Sequence, residues 1–218
     1  MQYQETTLLL CDFIQVWIHQ ILYQRELYPK GSFEQRKHYD VPVVMSSNPG
    51  VCTYVKEFVT SLQPLLEKQQ CQLVSLVVLS NTTQQALERY VFQMDYYANV
   101  KSTTMADEDI QHYFRACLLK LNVLPSLLSS ASLDCTYALG VELVSSGADD
   151  FDIGLSNVHT LLDDKHTTWV PGDSTQSSAA TTWAQLVPIK TMTMSGLKIN
   201  TYVMESRRKG KQVAYDST

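Results

Sequence analysis

A long apolar segment near the start of the chain is the feature that most constrains the fold. Between Thr6 and Tyr28 apolar residues cover nearly the whole circumference of a helix, and only a thin polar stripe through Asp12, Gln15 and His19 interrupts them. A helix that is apolar almost all round is buried at the centre of a domain. The polar stripe also argues against a membrane span or a signal peptide. We therefore expect one globular domain built around this helix, as a length of 218 residues allows.

Two further helices are predicted by their start signals and their apolar periodicity. The sequence "SSNPG" at 46–50 supplies cap residues and a proline for a helix start, and apolar residues follow at a spacing of 3.6. Three acidic residues in "TMADED" at 104–109 favour the start of a third helix, which is expected to end at Pro125.

Several short segments predict an antiparallel sheet. The segment 33–45 carries Pro42 and indicates an irregular or edge strand. Two β-branched or aromatic runs flank "NTTQQ" at 81–85, and the alternation at 135–144 indicates a half-buried strand. The fold class is therefore α+β, with three helices packed on an antiparallel sheet.

Residues 145–185 differ from the rest of the chain. They mix acidic, Ser and Thr residues with isolated large apolar side chains, among them Trp169 and Trp183. A segment of this polarity has little apolar surface to offset its ordering entropy, so its two tryptophans must dock elsewhere. We expect a long strap laid over the domain, followed by returning strands and a basic tail at 207–218.

The sequence "GLKINTYVME" near the C-terminus alternates between two faces. Leu197, Ile199, Thr201 and Val203 form the apolar set, which is the expected core face. The other set exposes a tyrosine, Tyr202, beside amide and methionine side chains. This composition is typical of the centre of a protein interface. The alternative is a solvated sheet face with one tyrosine.

Composition and motifs point away from catalysis. A net charge of −5 argues against broad attraction to nucleic acid, and five scattered cysteines indicate reduced thiols in a nuclear or cytosolic compartment. No phosphate-binding loop, nucleophile elbow or zinc-protease motif is present. The cluster "HTLLDDKH" at 159–166 matches no standard zinc site and is interpreted as a solvated loop. We expect no catalytic residues, no metal and no cofactor.

Four ordered blocks carry a family resemblance: "ILYQRELYPKGSFEQRKHYDVPVVM" (21–45), "YVKEFVTSLQPLLEK" (54–68), "FRACLLKL" (114–121) and "VPIKTM" (187–192). Together they resemble the HORMA-domain family, and within it the accessory subunits of translesion DNA polymerase zeta. The resemblance implies a single HORMA domain over residues 1–206. Its core would be 6–144, and its C-terminal safety belt and returning strands would be 145–206.

In this family the belt wraps a short partner peptide against the sheet, and the peptide adds a strand. The resemblance implies that Tyr54 and Trp169 flank prolines of the captured peptide, with Tyr28 nearby. Proline suits such a pair because it has no amide hydrogen but offers a flat apolar ring.

Two further surfaces are implied by the resemblance alone. Leu186, Asn200 and Tyr202 match positions that bind the C-terminal domain of the scaffold translesion polymerase. Arg115 matches the centre of a HORMA homo- or heterodimer interface on the third helix. The presence of Gln35, where a basic residue is common, weakens the expectation of self-association.

The expected function is that of a non-catalytic adaptor between the catalytic subunit of polymerase zeta and the scaffold polymerase, in DNA damage tolerance and DNA-end protection. An AAA+ remodeller is a further implied partner, and direct contact with nucleic acid or membrane is not expected. Localisation is expected to be nuclear and also cytoplasmic. The alternatives are a spindle-checkpoint or meiotic-axis HORMA protein, or an enzyme that uses Asp163 and His166.

Overall fold

A computed structural model describes residues 2–97, 107–130, 134–144, 183–194 and 196–207 of the chain. The helices are α1 (Gln2–Gln24), α2 (Pro49–Glu67) and α3 (Asp107–Val123). The strands are β1 (Phe33–His38), β2 (Val41–Ser46), β3 (Cys71–Ser80), β4 (Ala86–Tyr96), β5 (Cys135–Leu143), β6 (Trp183–Met194) and β7 (Leu197–Ser206). Strands β1 and β2 form a hairpin, and the other five form an antiparallel sheet in the order β5-β3-β4-β7-β6. The predicted α+β class is confirmed.

Helix α1 forms the centre of the core, as its apolar circumference predicts. Phe13 and Trp17 are fully buried, and the ring of Phe13 stacks on Phe114 of α3 with the ring centroids 4.0 Å apart. The helix ends earlier than expected because Glu26 adopts a left-handed conformation with φ of 53°. The amides of Glu26 and Leu27 then bond back to the carbonyls of Tyr23 and Leu22, which is a Schellman motif.

The segment 33–45 is a complete hairpin rather than the single irregular or edge strand that was predicted. Tyr39 and Asp40 both have positive φ, which is the requirement of a tight two-residue turn between antiparallel strands. A turn of this type usually contains Asn or Gly, and neither residue is present at positions 39 and 40. For this reason the hairpin was not predicted. At the start of α2, Asn48 accepts hydrogen bonds from the amides of Gly50 and Val51, so the predicted cap is confirmed.

The last described strand, β7, lies inside the sheet between β4 and β6. Its core-facing set, Leu197, Ile199, Thr201 and Val203, is buried as its alternation predicts. The two edge strands of the described sheet are β5 and β6. The half-buried strand predicted at 135–144 is therefore also an edge strand, which its alternation does not reveal.

A buried ion pair connects the end of α1 to the sheet. Arg25 donates to Glu88 of β4 and to the carbonyl of Ser129, and Tyr90 also donates to Glu88. Glu205 of β7 accepts a hydrogen bond from the amide of Ser129. Both charged partners of the ion pair are almost inaccessible, with exposures of 4% and 1%. The network therefore fixes four separate segments to one another inside the protein.

Other expectations concern the cysteines, metals and membranes. All five cysteines are unbridged, in agreement with the expected thiols. In the described residues no group of three or more His, Cys, Asp or Glu side chains is suited to a metal. No described helix is long and apolar enough to cross a membrane. Of the strap predicted at 145–185, residues 145–182 lie outside the described residues, among them Trp169, His159, Asp163, Asp164 and His166.

Candidate functional site

Three tyrosines from three different segments meet beside the edge strand β5. Tyr28 follows α1, Tyr54 lies in the second turn of α2, and Tyr137 lies in β5. The Tyr137 ring packs edge-on against both others, with centroid distances of 6.2 Å to Tyr28 and 5.9 Å to Tyr54. Edge-to-face packing at this distance is favourable for aromatic rings. The structure thus brings the two predicted residues Tyr28 and Tyr54 to one site.

In this cluster the ring of Tyr137 is packed against its two neighbours, whereas the ring of Tyr54 is exposed. Tyr137 is half-buried, and this burial, together with the neighbouring hydroxyls of Tyr28 and Tyr54, raises the pKa of its own hydroxyl. It therefore stays neutral over the physiological range. Tyr54 is 45% exposed, although large apolar rings are usually more buried. Such an arrangement offers an aromatic surface of fixed geometry to a ligand.

The backbone of β5 extends the site. Among the described strands, β5 pairs with β3 alone, so its other edge has no described partner strand, and this strand carries Tyr137 of the tyrosine cluster (Tyr28, Tyr54 and Tyr137). An edge of this kind has amide and carbonyl groups that can pair with an added strand. The site can therefore bind an extended peptide through its backbone and through alternate side chains.

Sequence reasoning missed Tyr137. Its alternation with Cys135, Leu139 and Val141 assigned it to the core side of a strand, and these side chains do pack against the core. The alternation does not indicate that β5 lies at the edge of the sheet, because that position depends on long-range strand pairing. Trp169, the other predicted peptide-binding residue, lies outside the described residues and stays a prediction.

The three residues predicted to bind the scaffold polymerase lie on one face of the β6–β7 hairpin. Leu186 pairs with Met204, and Pro188 pairs with Tyr202, so Leu186 and Tyr202 are diagonal neighbours. Asn200 lies two residues from Tyr202 on the same face. Leu186 is 57% exposed. The geometry is that of a small surface with an exposed leucine at one end and Tyr202 between it and Asn200.

Asn200 and Tyr202 are half-buried, not fully exposed as the sequence suggested. Tyr202 donates to the side chain of Gln93 on β4 and Asn200 donates to Asp95, at 3.4 and 3.3 Å. The difference arises because β7 is an interior strand, so its outward side chains contact those of β4. A partner that binds here would contact the side chains of Asn200 and Tyr202 in conformations that these hydrogen bonds already fix.

Arg115 is already engaged within the chain. Its Nε donates to the carbonyl of Tyr39 at 2.9 Å, and its guanidinium is 3.1 Å from Asp40. These contacts fix the β1–β2 turn against α3. Its proposed place in a dimer interface stays a prediction, and any dimer contact must share the arginine with this turn.

Trp183 opens β6 and packs on the outer side of the sheet. It contacts a small apolar cluster formed by Val77, Leu79 and Ala86, with Ala138 alongside. Its indole nitrogen is buried and has no hydrogen-bond partner among the described residues. Apolar contact therefore holds the ring in place. One of the two tryptophans in the strap is thus docked on the protein's own sheet.

The fold and its edge site define a class of protein. The family model described as the HORMA domain matches residues 7–122, and this chain belongs to the HORMA domain family. The chain is 32% identical over 203 residues to the mitotic spindle assembly checkpoint protein MAD2B of Danio rerio, covering 92% of this chain and 91% of that protein. It is 25% identical to the DNA polymerase zeta processivity subunit of Arabidopsis thaliana, covering 89% and 83%.

Solved structures show the same fold. A chain of the mitotic checkpoint complex matches with a TM-score of 0.71 at 20% identity, over 92% of this chain and 98% of that one. HTP-2 of C. elegans, in a structure bound to the HIM-3 closure motif, matches with a TM-score of 0.64 at 13% identity, over 92% and 89%. The resemblance inferred from four sequence blocks is confirmed at the level of the family.

Proposed function

We propose that this chain is a non-catalytic adaptor of translesion DNA polymerase zeta, acting in DNA damage tolerance in the nucleus and also the cytoplasm. It captures a short proline-containing peptide of the catalytic subunit and binds the C-terminal domain of the scaffold polymerase on a second surface. Relatives named as polymerase zeta processivity subunits support the assignment. The observation that carries it is the tyrosine cluster beside the edge of β5.

The captured peptide pairs with β5 as an added strand. Alternate side chains of a strand face the same side, so every second peptide residue faces the helix layer and the tyrosine cluster. Prolines fit where the backbone nitrogen points away from β5, since proline has no hydrogen to donate to the ladder. Their flat rings stack on Tyr54, which is the most accessible described ring of the cluster. Trp169 closes the site from the strap.

The second surface is spatially separate from the first. Strands β5 and β6 lie at opposite edges of the described sheet, with three strands between them. Leu186, Asn200 and Tyr202 therefore bind the scaffold polymerase while the peptide occupies the β5 edge. This separation supports a bridging role, because two partners do not compete for one site.

Two sets of variants test the proposal. Tyr54→Ala removes an aromatic anchor and is expected to weaken capture of the proline-containing segment by roughly 2 to 4 kcal/mol. Tyr54→Phe keeps the ring and should bind nearly as the parent does. The double variant Leu186→Ala, Tyr202→Ala should lose binding of the scaffold polymerase and keep binding of the peptide. Calorimetric titration of each partner measures both. Unchanged peptide affinity of Tyr54→Ala contradicts the site assignment.

A spindle-checkpoint role is the second candidate function, favoured by the relatives named MAD2B. Peptide capture at β5 is common to both candidates, and the identity of the partner separates them. Co-purification from cells followed by mass spectrometry decides between them. Polymerase subunits support the first candidate, and checkpoint proteins without polymerase subunits support the second.

A further inference from the structure

A cavity of about 310 Å³ lies between α1, the β1–β2 hairpin and α2, outside both surfaces described above. Its lining includes Gln15, His19, Arg36, Met45, Thr53 and Lys56. The volume falls at the lower end of the range of small-molecule sites. Two of the polar-stripe residues of α1, Gln15 and His19, thus face this cavity rather than bulk solvent. Neither the peptide site nor the second surface uses any of these residues.

His19 lies at the buried part of the cavity wall. The side chain is 1% exposed, and its Nδ1 accepts a hydrogen bond from the amide of Ser46. A neutral imidazole that accepts at Nδ1 carries its proton on Nε2. Burial, and secondarily the charge of Arg36, lower the pKa of His19 to about 4, so the ring stays neutral at physiological pH.

Two positively charged side chains, which come from different elements, line the same cavity. Arg36 comes from β1 and Lys56 from α2, and no carboxylate is among the lining residues. The only described carboxylate paired with Arg36 is that of Glu34, at 3.6 Å with both side chains more than half exposed. An exposed pair of this kind contributes little, so Arg36 can exchange it for a ligand. Lys56 has no ion pair in the described part of the chain.

The less polar part of the wall comes from two side chains. Met45 is buried, and Cys52 is half-buried with its thiol donating to the carbonyl of Ser46 at 2.9 Å. The thiol proton is thus directed to the backbone, and the sulfur presents a polarisable surface to the cavity. The cavity has room for an apolar or aromatic group behind an anion.

We propose that this cavity binds a phosphate monoester carried on an apolar or aromatic group. Its phosphoryl oxygens accept from Arg36, Lys56 and the Thr53 hydroxyl, while the organic group lies along Met45 and Cys52. A monoester carries nearly two negative charges at neutral pH and matches two cations, whereas a carboxylate carries one. Arginine also presents a planar fork of donors that suits phosphate oxygens.

Phenyl phosphate is the probe, because it has both the dianion and an aromatic group. Titration into the full chain, followed by calorimetry and by the NMR signals of the His19 imidazole, is expected to show one site. Arg36→Gln and Lys56→Gln should each weaken binding at least tenfold. Lys37→Gln is the matched control, since it removes the same charge from the adjacent, 73% exposed position of β1, and it should change binding less than twofold.

Benzoate and inorganic phosphate separate the two parts of the ligand. Each should bind at least tenfold more weakly than phenyl phosphate. Equal binding of benzoate overturns the preference for a phosphate monoester. Binding of phenyl phosphate that is unaffected by Arg36→Gln and Lys56→Gln, or that leaves the His19 signals unmoved, overturns the site. Thermal midpoints of the variants check that these exposed substitutions leave the fold intact.

Two sources could supply this chemistry, a phosphorylated side chain of a partner peptide or a free small phosphate ester. A short peptide with a central phosphotyrosine is compared with phenyl phosphate. A gain of tenfold or more for the peptide identifies a phosphorylated partner, and equal affinity identifies a small ester. In both cases the cavity is the site, and loss of both in the double variant Arg36→Gln, Lys56→Gln confirms it.

Discussion

His19 belongs to the polar stripe of α1, lines the cavity described above and affects the stability of the fold at acidic pH. Its ring is buried beside Ser46 and lies within reach of the field of Arg36, and both features favour the neutral form. Such a histidine binds a proton less readily in the folded chain than in the unfolded chain. Its contribution to stability is complete above pH 6.5 and is lost as the pH falls through about 4.

The chain is therefore expected to lose about 3 kcal/mol of unfolding free energy through His19 alone between pH 7 and pH 4. In this range the unfolded chain takes up a proton that the folded chain does not. His19→Gln removes the titration while retaining an acceptor for the Ser46 amide. Urea unfolding at several pH values measures both proteins. Parallel pH profiles of the parent and the variant would contradict this assignment.

At the scale of elements, we expect the start of β6 to determine how firmly the strap is held. The Trp183 ring packs half-buried on Val77, Leu79 and Ala86, and its position fixes where the strap rejoins the sheet. A strap that closes over a ligand must open locally before the ligand leaves. The contacts of Trp183 are therefore expected to affect the rate of release, although the ring packs on the opposite face of the sheet from the tyrosine cluster.

Trp183→Ala is expected to speed peptide dissociation about tenfold, since loss of a half-buried tryptophan costs roughly 1.5 kcal/mol. Trp183→Phe keeps much of the apolar contact and should lie near the parent. Surface plasmon resonance measures the dissociation rate, and hydrogen exchange of the complex reports on opening. Release at the parent rate would show that the strap is anchored elsewhere.

The elements differ in how well the sequence predicts them. The burial of α1 and the core face of β7 follow from short-range periodicity, and both predictions are confirmed. The β1–β2 turn and the end of α1 were missed because Tyr39, Asp40 and Glu26 adopt left-handed conformations without glycine. In such cases tertiary contacts, such as Arg115 on the turn, outweigh local preference.

The candidate site was predictable only in part, for a reason of distance along the chain. Tyr28 and Tyr54 came from family resemblance, and their meeting depends on Tyr137, more than eighty residues beyond Tyr54 in the sequence. No local pattern encodes that meeting or the edge position of β5. The cavity at His19 was likewise not predicted, because its lining comes from α1, the β1–β2 hairpin and α2, which no local pattern brings together.

For the whole molecule, the buried ion pair of Arg25 and Glu88 is one of the contacts that join the helix layer to the sheet. Glu88→Gln removes the charge that compensates Arg25 in a site that water does not reach. The variant is expected to lose about 3 to 5 kcal/mol of unfolding free energy. Urea denaturation measures the loss, and the m-value should stay unchanged.

The control replaces both charges by residues of similar volume. Arg25→Met with Glu88→Met removes both charges of the pair, so the double variant should be less destabilised than Glu88→Gln. The buried carboxylate of Glu205 then loses the neighbouring charge of Arg25. The arginine also donates to Ser129 and the glutamate accepts from Tyr90, so full recovery is not expected. A double variant less stable than the single one would show that those hydrogen bonds, rather than the ion pair, dominate.

The interior position of β7 also has a consequence during synthesis on the ribosome. Strand β7 is translated about a hundred residues after its partner β4, as the pairing of Gln93 with Asn200 shows. Until then the nascent chain carries β4 with one unpaired edge, and exposed edges of this kind invite aggregation. The pairing also closes a long loop, which slows folding. Newly made chains of this protein are thus expected to expose this edge of β4 until β7 is inserted.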